Sequence, residues 1–208
     1  MCQHTQIDHF LQNNQDWAEA IKAKHPDFFK DLVKGQQPKA LLLGCSDSRV
    51  SPTVVLGSEL GEIFMHRNIA NVVSHTDMNF LSVMQYAIEV LGIEHIIIYG
   101  HYGCGGIKAA LSNEAHGLID NWLANIRDVI FRHKEELDEH CDIDDKVDRL
   151  VELNVLAQIE NIRLTSVYKK AIKNGKTIHL HPWVFDFRSG FVKVLEETPH
   201  TIFKPVLS

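Results

Sequence analysis

The sequence predicts an α/β protein: a mostly parallel central β-sheet flanked by helices, with an antiparallel C-terminal strand pair and an N-terminal helical arm. Three observations carry this reading. The apolar runs "KALLLG", "EIFMHR" (62–67) and "EHIIIYG" (94–100) are continuous rather than alternating, as suits strands buried on both faces. Between the second and third runs, "HTDMNFLSVMQYAIEVLG" keeps helical spacing through Phe80, Met84, Ala87, Ile88 and Leu91, which makes a strand–helix–strand unit with a right-handed crossover. Finally, "KTIHLHPWVFDF", the turn "RSG" and "FVKVLEE" read as an antiparallel pair closing the sheet.

Taken in order, the first 35 residues are helical. Phe10, Leu11, Trp17 and Ile21 mark one stretch; Pro26 stands near a second helix start and Gly35 is its stop. In the crossover helix Thr76 is the expected cap, Asp77 favours the first turn, and Gly92 ends the segment. Two long helical segments follow near 118–138 and 145–173, the second ending at "NGK". With no repeat, low-complexity tract or linker, residues 1–208 read as a single domain, an arm over 1–35 and an α/β core over 36–208. A chain of this length buries roughly 70% of its unfolded surface.

Composition narrows the function classes. Hydrophobic residues make up 45% and charged residues 23%, ordinary for a globular protein. A net charge of −6 without a Lys/Arg patch argues against nucleic acid or an anionic membrane as partner. No apolar stretch is long enough to span a bilayer, and "MCQHTQIDHF" lacks a signal-peptide pattern, so a cytoplasmic location is expected. Four cysteines in a reducing compartment serve metal binding, catalysis or packing more often than disulfides.

In an open α/β sheet, ligands collect at the carboxyl ends of strands where strand order reverses. Two apolar runs end there in metal-ligand residue types. "LLLGCSDSRV" delivers Cys45 and Asp47; "GHYGCGG" delivers His101 and Cys104. If the two strands are parallel neighbours, all four side chains meet. Two thiolates and an imidazole suit zinc, with Asp47 as a fourth ligand or standing aside. Gly103, Gly105 and Gly106 are expected to let the backbone bend around the ion. A lone buried Cys is usually packing, and "GHYGCGG" has neither dinucleotide-loop spacing nor a phosphate-loop lysine. The combination is far more specific than its parts.

"CSDSRV", "HRNIAN" and "GHYGCGG", at this separation, resemble the β-class carbonic anhydrases. The resemblance runs from the N-terminal helices through "LNVLAQIENIR" to the terminal strand pair. It implies zinc on Cys45, His101 and Cys104 and reversible hydration of carbon dioxide by hydroxide generated on the metal. Asp47 is then either a fourth ligand or, gripped by Arg49, an acceptor that orients the nucleophile. The resemblance also places Gln36, Phe64, Ile69, Tyr86 and Gly105 around the substrate, and implies a homodimer or homotetramer with the N-terminal helices embracing the partner. Some members are inhibited by bicarbonate bound to a Trp, an Arg and a Tyr. The matching positions here are Leu42, Arg67 and Phe185, of which only the Arg is kept, so weak or absent regulation is expected.

Plainer readings stand beside these. Gln36 reads equally as a loop residue, Phe64 as core, and Tyr86 as a surface contact. Arg67 would order the local backbone. His179 and His181 alternate along a strand and could chelate, but lack a third ligand. Thirteen histidines leave the proton shuttle unassigned. Cys2 and Cys141 read as free thiols, and "RHKEELDEH" as a solvated helix face. Competing functions are a related zinc hydrolase acting on carbon disulfide, a non-catalytic protein with structural zinc, and a thiol enzyme using Cys45, although Arg49 lies too close to it for a phosphate-cradling loop.

Overall fold

The computed structural model describes residues 7–112 and 114–196, so Cys2 lies outside the described residues. The chain divides at Gln37/Pro38 into two compact units. The first holds α1 (Asp8–Lys24) and α2 (Phe28–Val33), with Trp17 meeting Phe29 edge-on at 5.7 Å between ring centroids. Asp8 in the first turn of α1 and Lys22 and Lys24 in its last complement the helix dipole. The second helix starts two residues past Pro26, and Gly35 follows it at φ 132°, as the sequence reading placed both.

The second unit opens with β1 (Ala40–Cys45), α3 (Pro52–Val55) and β2 (Ile63–Asn68), then a 3-10 turn at Ile69–Asn71. The crossover helix α4 (Met78–Glu89) leads into β3 (His95–His101), α5 (Gly105–Leu111) and α6 (Ile119–Arg132). After α7 (Lys134–Asp138), α8 (Ile143–Leu164) and α9 (Ser166–Lys173) come β4 (His179–Phe185) and β5 (Val192–Val194). Among the described residues the strands form one sheet in the order β2-β1-β3-β4-β5, parallel except for the β4–β5 pair. None of the described helices is long and apolar enough to cross a membrane.

Details depart from the sequence reading for local reasons. Asp77 rather than Thr76 caps α4, its Oδ1 accepting from the Asn79 N–H at 3.0 Å. The long segments break at His133 and at Thr165, whose hydroxyl accepts from the Tyr168 N–H and starts a new helix. The second apolar run was expected to be buried on both faces, yet β2 is half-buried throughout because it is the sheet's edge. In contrast, every residue of β1 is buried.

The order places the reversal point between β1 and β3. From β1 the chain pairs outward to β2, then crosses over to pair β3 on the other side of β1. That geometry leaves a crevice at the carboxyl ends of β1 and β3. One side of the sheet carries the main core, including Leu41, Leu43, Ile96, Ile98, Phe80 and α8; the other carries Leu42, Ile97, Tyr99, Val50 and Phe185.

Candidate metal centre

β1 ends at Cys45 and β3 at His101, and the two strands are parallel neighbours. Three residues on, Cys104 turns the chain into α5 as its N-cap. The Cys45 and Cys104 sulfurs are 3.9 Å apart, and the ligand atoms of Cys45, His101 and Cys104 all lie within 4.8 Å of one another. All three side chains are buried.

The protonation chemistry fits a cation. His101 Nδ1 is 3.0 Å from the Tyr102 carbonyl, which only accepts, so the proton sits on Nδ1 and Nε2 presents its lone pair. Nε2 is buried without a hydrogen-bond partner. Such an atom is costly unless something takes the lone pair. Cys45 is held well below the usual thiol range by its hydrogen bond from Cys104, against the opposing effect of burial and with help from the Asp47 and Ala70 backbone. Cys104 is pushed up by that same pairing and by burial. Without a cation the pair therefore shares one proton; a divalent ion lets both thiols ionise.

Asp47 does not belong to this cluster. Arg49 takes it bidentately: Nε donates to Oδ1 at 3.0 Å, Nη2 to Oδ2 at 2.7 Å, and the Arg49 backbone N–H also reaches Oδ1. The Arg49 side-chain hydrogen bonds hold the Asp47 carboxyl down at about 2. Its Oδ2 nevertheless stays 3.8 Å from His101 Nε2, beside the ligand atoms. Arg67 acts from β2, donating at 2.8 Å to the carbonyls of Cys45, Asp47 and Val50.

Several supporting residues escaped the sequence reading. The Phe187 ring stands between the site's two sides, 4.6 Å from the Arg49 guanidinium carbon and edge-on to His101 at 5.4 Å. Asp148 accepts from the Gly103 N–H at 3.2 Å and from Arg188 at 2.8 Å, which ties down the turn between His101 and Cys104. On α8, Asn154 Nδ2 donates to the Ala70 carbonyl and Asn161 Nδ2 to the Val73 carbonyl, while Gln158 Oε1 accepts from the Val73 N–H. These amides hold a loop in which Ala70 and Asn71 both take left-handed backbone conformations. Their signal was legible in "LNVLAQIENIR": three amide side chains at helical spacing on an otherwise buried helix need partners.

The glycines divide their labour differently from the expectation of a shared bend. Gly103 alone of the three has positive φ, 62°. Gly106 is a close-approach position, where a Cβ would come within 2.8 Å of Ile69 Cγ2. At Gly105 a Cβ would meet nothing within 4 Å. Phe64 and Tyr86 lie with ring centroids 5.8 Å apart, and Tyr86 is 45% exposed. Ile69 is 38% exposed, and its carbonyl accepts from Trp122 Nε1. Gln36 falls in the N-terminal unit. Leu42 and Phe185 are buried in the second apolar cluster, and Cys141 is exposed.

A family model described as carbonic anhydrase matches residues 40–192. A carbonic anhydrase of Emericella nidulans is 41% identical over 90% of this chain and 82% of its own length. A tetrameric β-carbonic anhydrase of Sordaria macrospora superposes with a TM-score of 0.86 at 39% identity, covering 91% of this chain and 96% of that one. The Coccomyxa β-carbonic anhydrase in complex with acetazolamide gives 0.88 at 34% identity, covering 93% and 87%. With the family model spanning residues 40–192 and the Emericella relative alike over nearly the whole chain, this protein belongs to the β-carbonic anhydrase family.

Proposed function

We propose that this chain catalyses the reversible hydration of carbon dioxide to bicarbonate and a proton, with zinc held by Cys45, His101 and Cys104. The observation that carries this reading is the position of Asp47, gripped by Arg49 rather than joined to the cysteine–histidine cluster. A purely structural zinc site would have Asp47 as its permanent fourth ligand and no use for Arg49. Zinc, when bound, supplies a Lewis acid that makes water nucleophilic near neutral pH.

The remaining work falls to the chain's own groups. Asp47 Oδ2, ionised and fixed by Arg49, accepts the attacking water's proton as a hydrogen bond and aims its lone pair. Phe64, Ile69 and Tyr86 supply an apolar wall for an apolar substrate. Phe187 shields the Arg49–His101 side from water. Cys45 and Cys104 bring two negative charges to the ligand set, which makes water there harder to ionise than beside three neutral imidazoles. Stopped-flow hydration is therefore expected to rise steadily from mildly acidic to alkaline pH. A flat profile, or no hydration by zinc-loaded protein, overturns the reading.

The proposal includes a homo-oligomer, a dimer or tetramer. Support comes from the tetrameric Sordaria relative and from exposed apolar side chains on α1, namely Phe10 at 61% and Leu11 at 70%. Light scattering should return a mass at least twice the 23.7 kDa of one chain; a monomer at working concentration would refute it.

A further inference from the structure

The parallel pairing of β3 with β4 has a second consequence, at the opposite end of the strands from Cys45 and His101. It sets His95 directly beside His179, and His181 two residues on along the same face. His95 Nδ1 and His181 Nε2 are 3.0 Å apart, and the His95 ring stacks on His179 at 4.9 Å with 20° between planes. His95 and His179 are exposed and His181 half-buried, so the group is open to solvent. Two nitrogens bound to one tetrahedral ion, each about 2.0–2.1 Å from it, are themselves about 3.3 Å apart. The His95–His181 pair already stands near that bite.

We infer that His95, His179 and His181 form a second, exchangeable site for a divalent transition metal that favours imidazole, such as zinc or nickel. In it, the hydrogen bond between His95 and His181 is exchanged for two coordination bonds, and a side-chain rotation of His179 adds the third. The trio is not gathered within 4.8 Å as the cysteine–histidine cluster is, so the ion it takes is held more loosely. Burial and the neighbouring imidazoles hold His181 below the ordinary histidine range, which favours the neutral ring that a metal binds. β3 runs seven residues from His95 to His101, which separates the two ends by about 20 Å. Occupancy is accordingly independent of the hydration chemistry.

Trp183 provides the reporter, its ring 5.8 Å from that of His181. Zinc-loaded, untagged enzyme titrated with nickel is expected to take up one ion per chain beyond the catalytic metal, with quenching of Trp183 fluorescence that Trp183→Phe removes. His95→Asn and His181→Asn should each lose that ion while keeping the catalytic zinc and the hydration rate. His140→Asn, elsewhere on the surface, should retain it. Both variants sit at a solvent-open strand start, and a thermal melt confirms that they fold. No ion beyond the catalytic one, or an ion that survives in both variants, overturns the inference.

Discussion

Cys104→Ser is expected to abolish carbon dioxide hydration and empty the zinc site while the sheet stays folded. Serine keeps the size of the side chain but supplies a hydroxyl that does not ionise near neutral pH, so the cluster loses one of its two anionic donors. Hydration should fall by on the order of a thousandfold or more, because water without the metal returns to an unactivated state. The fold should survive because the site lies at strand ends, whereas β1 and β3 are held by ladders to both neighbours and by the buried faces of α4 and α8. Metal content by atomic absorption and circular dichroism on the same sample check both halves. Retained zinc with wild-type rate would show that Cys104 is packing rather than a ligand.

Asp47→Asn should lower kcat/KM by about 10–100-fold with zinc retained, as expected of a group that orients rather than coordinates. The amide still accepts from Arg49 through Oδ1, but turns an N–H toward Arg49 Nη2 where two donors now face each other. It also presents no anionic acceptor beside the ligand cluster. The folded-state carboxyl is depressed to about 2 from 3.8, so the pair's stabilisation is full above about pH 4 and disappears as pH falls through 2. The rate loss should therefore be even across the neutral range. Arg49→Ala should cost a similar factor, and the double variant little more than either alone. Additive losses, or zinc lost from Asp47→Asn, would place Asp47 in the ligand set instead.

Sequence reasoning reached the site because its chemistry is concentrated at two strand ends, each a short string of unusual residue types after an apolar run. Cys45, Asp47 and Arg49 are within five positions, and His101 and Cys104 within four, so local pattern and strand placement bring them together. What stayed hidden depends on distant pairing. Phe187 and Asp148 look like a core aromatic and a helix-surface carboxylate until β5 folds back and α8 packs against the sheet. The three-histidine group was half visible: His179 and His181 share a face by alternation, but His95 joins them only through the β3–β4 register. β2's exposure was likewise unreadable, since an edge strand and a central one can carry the same apolar residues.

Arg67 shows what a guanidinium already engaged through Nε and Nη2 means for control of the enzyme. Its three hydrogen bonds to the 45–50 loop hold carbonyls that curl round a fixed cation, much as carbonyls wrap a bound metal. Any anion seeking that charge is a latecomer competing with an occupant tethered in the same chain. Each bond it displaces is worth about 1.5–3 kcal/mol, being made to a charged donor, and neither Leu42 nor Phe185 offers a hydrogen bond in return. We therefore expect these loop carbonyls to weaken the hold of any anion on Arg67, so that added bicarbonate changes the hydration rate little.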